Sequence, residues 1–571
     1  MKYYYNINLL TCYSNISNKF FSLLKLENLI PRYSHLIIPD CNYAYTMDYD
    51  GILAIREIIN NDEYVFIPKT FDAYLKLLYL KNTNKLNYEI FNEKDIIKIL
   101  MLYPNTTKNI FDFLINNEVK FLPAIDYCDY VSIDISRNIF TNNFLSLKDR
   151  IPENKIIYSK MSFCDYGQNA SYKLLISDKE EYKLQFMSND FEFVDNKTLF
   201  NNIKDLTGLT GLLKTIDHIK TIYNDAYKGK IDRCLKFPKV HGDEDFEFLK
   251  NECLKSFLDK YQKGILNESD IDRLIYELDE IRKCKVAGYF LIYSDVIKWC
   301  DKNGILHGDR GSAASSFVNY LMGITSFNPI KYNLMFDRFL SVDRIKPKIV
   351  DDKIYVEDVP DCDIDFQANK RDEIVKYLED KYKAVRIGNY QYLKVKNAIQ
   401  EIARKLKYSH QDTLAITKDL DDDIPLEQAI NIVPDDIKEH LPNFYGIIKS
   451  IGTHASGILV ADKNPVENVP LYLMDDGKYN TLWKEGRGLN TISGHGYIKF
   501  DILGLKNFNI IAKLLNRLNI KLNDINYEDI NEEITNFYLE DLNRLDYIFQ
   551  LESNLAKKMY SAVKPKKFFD I

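Results

Sequence analysis

Three aspartates stand at alternate positions in Val359-Pro360-Asp361-Cys362-Asp363-Ile364-Asp365-Phe366. An extended strand turns successive side chains to opposite faces, so Asp361, Asp363 and Asp365 share one face and Cys362, Ile364 and Phe366 the other. Like charges side by side repel, and paired Mg²⁺ ions, which prefer oxygen ligands, would relieve that repulsion. A charged edge strand that resists aggregation is the plain alternative. Upstream, His307 opens the run HGDRGSAASS, where Gly308 and Gly311 permit close backbone approach. Ser312 there begins a helix expected over 313–322, whose N–H groups and dipole would face a phosphate, with Arg310 as a further anion ligand. Taken alone, this loop reads equally well as a tight turn whose small residues let helices pack closely. Downstream, in Tyr497-Ile498-Lys499-Phe500-Asp501-Ile502, the period of two puts Lys499 and Asp501 on one strand face. A carboxylate and a lysine so placed suit the completion of a metal site and contact with a phosphate.

These groups need elements to hold them. Helical patterns run through DFEFLKNECLKSFLDKYQ, then SDIDRLIYELDEIRKCKV with Ser269 as its N-cap, then GYFLIYSDVIKWCDKNG, which closes on Gly304 and delivers the chain to the loop. After the loop, RFLSVDRIKPKIVDDKIYVED predicts a helix end and a hairpin turning near Asp351-Asp352. NKRDEIVKYLEDKY is a helix and AVRIG a short strand. The next helix, QYLKVKNAIQEIARKLKY, carries Lys394, Lys396, Arg404, Lys405 and Lys407 against Glu401. It could lie along a phosphate backbone, although a solvated face explains the same charges. His454 sits in a Gly- and Ala-containing turn that feeds an apolar strand, and reads as a turn histidine. Asp476-Gly477 turns a strand-like pair. KNFNIIAKLLNRLNI and the stretch after Asp546 are helical with a basic end.

From Met1 to about Lys236, short apolar runs such as SHLIIPD, EYVFIPK, NKIIYSKMSF and YKLLISDKEEYKLQFM have strand character. Between them DGILAIREIINN and TFDAYLKLLYLKN have helical patterns, which makes this region α/β. His35 is its only histidine before His218, too few for a polynuclear phosphoesterase site, and Asp40-Cys41 reads as a turn after a strand.

With 571 residues the chain exceeds one hydrophobic core, so several domains are expected. No stretch approaches the roughly eighteen apolar residues of a membrane span, and the N-terminus lacks a secretory pattern, so a cytoplasmic protein is expected. The nine cysteines form no C-x-x-C pair, which argues against zinc knuckles and disulfide frameworks. A net charge of -7 restricts nucleic-acid binding to local basic surfaces.

Read together, several separated stretches resemble the C family of bacterial replicative DNA polymerases, the alpha subunits of DNA polymerase III. They are GYFLIYSDVIKW; GDRGSAASSFVNYLMGIT with NPIKYNLMFDRFL; PDCDIDFQANKRDEIVKYL; THASGILVA; IKFDILGLKNFNII; and IFQLESNLAKKM with VKPKKFFDI, together spanning about 288–571. The resemblance implies an α/β multidomain protein: a PHP-like domain over 1–236, a polymerase-beta-like nucleotidyltransferase palm over 237–392 and 461–506, a helical thumb over 393–460, and the start of helical fingers over 507–571. It places the catalytic, metal-holding carboxylates on Asp361, Asp363 and Asp501, with Asp365 left structural. Triphosphate binding falls on Gly311 and Ser312 beside Arg310, and a phosphate-contacting lysine on Lys499. DNA would follow the basic helix through Lys394, Lys396, Arg404, Lys405 and Lys407.

The same resemblance implies two Mg²⁺ ions, primer–template DNA and dNTPs as substrates, and a nucleoid-associated cytoplasmic setting, in the host cell if the gene is viral. It departs from the family where NLLTCYS and PDCNYAY stand for histidine-containing metal motifs, so a scaffold is expected there in place of a proofreading exonuclease. The link before Asp361 is long, which suggests an extended hairpin at the palm edge. The motifs also end within the fingers, before the clamp-binding parts of the family. That leaves open a split enzyme completed by a second polypeptide, and a non-polymerase nucleotidyltransferase on the same palm.

Overall fold

The computed structural model describes residues 54–59, 62–102, 127–134, 151–159, 168–175, 177, 195–228, 233–351, 353–357, 362–421, 424–486, 491–520, 532–567 and 570. It forms two compact units: 1–238 with 347–359 and 381–499, and 239–346 with 360–380 and 500–571.

The first unit begins with a five-stranded sheet in which β1 (Ile55–Ile59), β2 (Asp62–Pro68) and β3 (Ile96–Leu102) run antiparallel in sequence. β4 (Tyr130–Asp134) and β5 (Ile156–Ser159) continue it in parallel, so the spatial order is the chain order. Helices α1 (Phe71–Asn82), α2 (Asn169–Leu175) and α3 (Asn196–Asp225, broken at Gly208 with φ 76°) accompany it. Two expectations fail here. DGILAIREIINN holds the strand β1, because IREII is dominated by β-branched residues and pairs along its length with β2, with Arg56 buried against Glu63 at 3.0 Å. The reverse holds for Tyr172–Leu175, expected as strand, which closes α2 and buries Tyr172. His35, Asp40 and Cys41 lie outside the described residues.

The second unit opens with α4 (Asp245–Gln262), α5 (Asp270–Cys284) and α6 (Ala287–Lys302). Ser269 stands at the N-cap of α5 but makes no capping hydrogen bond; instead the Asn267 N–H donates to the Asp270 carboxylate at 2.9 Å. Then come the short strand β6 (His307–Asp309), a 3-10 turn (Gly311–Ser315) and α7 (Phe317–Leu321). The hairpin β7 (Lys348–Val350) and β8 (Lys353–Tyr355) belongs to the first unit and turns at Asp351, as expected. β9 (Asp363–Gln367) and most of α8 (Arg371–Tyr382) return to the second.

Back in the first unit, β10 (Val385–Tyr392) leads into α9 (Val395–Lys405), which buries Val395, Ala398, Ile399, Ile402 and Ala403, the i, i+3, i+4, i+7, i+8 stripe of an amphipathic helix. α10 (Asp435–Phe444), β11 (Ile448–Val460), β12 (Leu471–Leu473) and β13 (Tyr479–Thr481) follow, with strands in the order β12-β13-β10-β11. This region shares one apolar core with the N-terminal sheet. Polar seams join the two: the Asn82 amide donates to Val466 and Val469 carbonyls and accepts from the Leu471 N–H, at 2.8, 2.8 and 2.9 Å.

β14 (Ile498–Leu505) carries the chain from the first unit into the second, and α11 (Lys506–Leu518) and α12 (Asn554–Val563) end the described elements. In the second unit β14, β9 and β6 lie side by side, β14 parallel to β9 and β6 antiparallel to it. Among the described residues no helix is long and apolar enough to cross a membrane.

Candidate active site

The period-two reading of the acidic strand holds over 363–366. β9 pairs with β14 in a register that sets Asp501 against Asp363, Ile502 against Ile364 and Leu503 against Asp365. Asp363, Asp365 and Asp501 therefore share one face, while Ile364, Phe366, Phe500 and Ile502 are fully buried on the other. The tyrosines of α6 pack there: the Tyr293 ring stacks on Phe500 at 4.5 Å, with Tyr289 at 5.2 Å. Asp361 lies outside the described residues, and among those described no three His, Cys, Asp or Glu side chains gather as a metal-holding group.

α6 also pins the backbone at the acidic site, which the sequence reading missed. The Tyr293 hydroxyl donates to the Cys362 carbonyl at 2.8 Å and takes a longer bond from the Asp501 N–H at 3.4 Å, while the Cys362 N–H donates to the Tyr289 hydroxyl at 2.8 Å. Burial pushes the Tyr293 phenol well above its usual range, so it stays a donor. The available signal was two tyrosines at i, i+4 in the apolar first half of α6, whose hydroxyls need partners when buried.

The glycine loop lies against the same face. Gly311 has φ +57°, a left-handed conformation, and a Cβ added to it would stand 3.2 Å from Asp363 Oδ2. Glycine thus lets the turn meet the carboxylate. Ser312 follows, half-buried, in the 3-10 turn. The expected helix over 313–322 does not form as one piece: Ser316 is extended (φ -93°, ψ 124°) and caps the five-residue α7 through the Asn319 N–H. The physical cause is Glu277 of α5, a fully buried carboxylate that accepts from the Phe317 and Val318 N–H groups, each at 2.9 Å. The N–H groups that do begin a helix here serve the protein's own anion.

Arg310 reaches the site held by Asp365, at 3.1 Å between Nη1 and Oδ1. Burial raises the Asp365 carboxyl above its usual range and Arg310 partly offsets this. The third aspartate of the motif is thereby a partner of the arginine.

Lys499 belongs to the first unit, where its ammonium pairs with Glu485. Glu485 also accepts from His454 Nε2 at 2.6 Å, and His454 Nδ1 accepts the Gly457 N–H at 2.7 Å, which fixes the ring with its proton on Nε2. The His454 bond and the Lys499 contact hold the Glu485 carboxyl down at about 2. His454, expected in a turn, lies within β11 and braces the lysine's partner.

The basic helix is less exposed than its charge suggests. Lys405 turns inward and bonds the Leu175 carbonyl at the end of α2, with 3% of its side chain exposed, so it is no surface contact. Lys396 donates to the Leu420 carbonyl at 3.4 Å and Arg404 to Glu401 at 2.6 Å. Lys394 and Lys407 flank α9, Lys407 in a left-handed turn (φ 65°).

Paired carboxylates on parallel strands, with a glycine turn laid against one of them, could hold a divalent cation beside a phosphate. Residues 247–504 match the family described as "Bacterial DNA polymerase III alpha NTPase domain". Curated relatives are similar over longer stretches. The DNA polymerase III subunit alpha of Ureaplasma parvum is 30% identical over 75% of this chain and 45% of its own length. That of Bacillus subtilis is 30% identical over 59% and 31%, and that of Aquifex aeolicus 29% over 64% and 34%. The chain thus spans less than half the length of these relatives.

Proposed function

We propose that this chain is the catalytic part of a DNA-directed DNA polymerase, extending a primer 3′ end with dNTPs. The observation that carries the reading is the register of Asp363 against Asp501, with the Gly311 turn in contact with Asp363. Two carboxylates side by side on neighbouring strands, one of them almost fully buried, suit divalent cations bound through one or two carboxylates plus substrate phosphates. Asp361, Asp363 and Asp501 would hold two Mg²⁺ ions, which when bound neutralise charge on the attacking and leaving oxygens. Ser312, the Gly311 backbone and Arg310 would orient the triphosphate, with Lys499 as a further phosphate contact. In this reading residues 237–392 and 461–506 form the palm, with β6, β9 and β14 at its site, residues 393–460 the thumb, 507–571 the start of the fingers, and 1–236 a PHP-like scaffold that shares its core with the thumb region. Asp363→Asn and Asp501→Asn test it by Mg²⁺-dependent primer extension on a DNA template. Extension at wild-type rates in either variant would remove both residues from the mechanism.

A second reading is that a further polypeptide segment, in cis or in trans, packs on the fingers before the site works. It is favoured by Ile510, Leu514 and Leu518 on α11 and by Leu555, Met559 and Val563 on α12, each an exposed apolar stripe at i, i+4, i+8. Extension that appears only when a polypeptide matching the downstream part of the relatives is added would favour it.

A further inference from the structure

The loop before α7 has small residues and three serines, Ser312, Ser315 and Ser316, any of which could cap a helix, so its own sequence does not single out the break at Ser316. The cause lies on α5. Glu277 accepts four hydrogen bonds on two oxygens: Phe317 N–H and Arg273 Nε on Oε1 at 2.9 and 2.6 Å, and Val318 N–H and Ser316 Oγ on Oε2, both at 2.9 Å. Arg273, one turn earlier, donates from Nη2 to the carbonyls of Ser315 and Leu334 at 2.9 and 3.0 Å. The pair thus grips both sides of the break: Arg273 takes a carbonyl of the 3-10 turn, and Glu277 takes the N–H groups that begin α7. A buried carboxylate is costly to desolvate, and it persists here because every lone pair direction meets a donor.

We infer that Glu277 and Arg273 are positioning residues for nucleotide: they close the start of α7 with an internal anion and hold the turn Gly311–Ser315 in the shape that meets the triphosphate. This rests on the polymerase reading for the ligand and on the geometry for the clamp. An ionised carboxylate in place of a phosphate at α7 moves the anion site one turn back, to the Gly311 and Ser312 backbone and the Arg310 side chain. That is the turn which touches Asp363. With the clamp released, Ser316 is free to become helical, 313–322 can wind into one helix, and the turn leaves the Asp363 carboxylate.

The test uses the full chain. Glu277→Gln keeps the shape but presents an amide donor to backbone donors. Amide hydrogen exchange at Phe317 and Val318 should quicken by about tenfold, and the KM for dNTP should rise by about tenfold with primer–template affinity unchanged. Arg273→Met, which releases the other grip without burying a new polar group, should move both readouts the same way, and Glu277→Asp should recover part of the loss. Faster exchange with an unchanged KM would make the clamp merely structural, a raised KM with unchanged exchange would place the effect elsewhere, and equal loss of dNTP and DNA binding would mean general loosening; each overturns the inference. A wild-type protein that neither extends primers nor binds dATP in the presence of Mg²⁺ would sink the polymerase reading and the ligand assignment together. Exchange at Phe317 would still report on the clamp in that case.

Discussion

Asp501 stands directly across from Asp363 on parallel strands, and the Asp501 N–H is tied to the same Tyr293 hydroxyl that donates to the Cys362 carbonyl next to Asp363. One tyrosine thus sets the relative position of two carboxylates drawn from distant parts of the chain. Neighbouring strands are about 4.8 Å apart, a spacing at which like charges repel unless a cation lies between or beside them. In the polymerase reading, divalent metal bound there would relieve that repulsion.

Asparagine at either position keeps the shape and removes the charge. Asp363→Asn and Asp501→Asn should each lower the Mg²⁺-dependent extension rate by on the order of a thousandfold, comparable to deleting a group that stabilises the transition state. Asp365→Asn should cost only about tenfold, because Asp365 holds Arg310 by a charge-assisted bond and, in the polymerase reading, would act on the triphosphate only through it. Steady-state rates of the three variants on one primer–template check the ranking. Equal losses in all three would break it.

Gly311→Ala joins two penalties. A side chain at φ +57° costs about 1–2 kcal/mol in the left-handed region, and the new Cβ stands 3.2 Å from Asp363 Oδ2, tighter than ordinary contact. Either the turn retreats or Asp363 rotates. The expected result is a loss of extension activity larger than the fall in melting temperature explains, with weakened metal binding; rates and Mn²⁺ titrations of the same preparation measure it.

How much of this was legible follows from where each partner comes from in the chain. The face shared by Asp363 and Asp365 needs only the strand period of two, and it could be read. The partnership of Asp501 with Asp363 needs a parallel register that no local pattern encodes; residue type and strand face offered Asp501 as completing a metal site, and the resemblance to a family joined it to Asp363. The Ser316 break was hidden because its cause, Glu277, lies on another helix and looks like one more charge on an amphipathic surface. Lys405 looked like a DNA contact because its cover, the end of α2, comes from far upstream. IREII in β1 carried a helical-looking apolar spacing, and only the pairing with β2 decided for strand.

Glu485 carries an acid signature. Its carboxyl sits at about 2 in the folded chain against an ordinary 4.5, held down first by the His454 hydrogen bond and then by Lys499. A depressed carboxylate contributes stability that is complete above the unfolded value and is lost as pH falls through the folded one. The stability gap between wild type and Glu485→Gln should therefore be constant above about pH 5 and close steadily towards pH 2. Because the side chain is 40% exposed, added salt should shrink that gap. Urea titrations across this range measure it, and a gap that widens on acidification would contradict the ion pair.

The seam between the N-terminal region and α10 should respond to pH in a different window. Asn443 donates its amide to Ser171 Oγ at 2.8 Å, which leaves the Ser171 proton for His440 Nδ1 at 2.9 Å, so the imidazole accepts there and is neutral at that atom. Burial lowers the His440 pKa from its usual 6.5, and the nearby Glu439 and Asp436 offset this only in part. A histidine with a depressed folded pKa leaves stability untouched above 6.5 and removes it below, because the unfolded chain takes up a proton that the folded one refuses. One such proton gives a slope of at most about 1.4 kcal/mol per pH unit. Protonation at Nδ1 also deprives the Ser171 hydroxyl of its acceptor, so the weakening should centre on α2. Hydrogen exchange of the amides in 171–175 should quicken as pH drops from 7 to 5, beyond the intrinsic pH dependence of exchange, while amides in β9 hold steady. His440→Gln, which keeps an acceptor and cannot charge, should flatten that response. An equal acceleration in the variant would show that the seam opens for another reason.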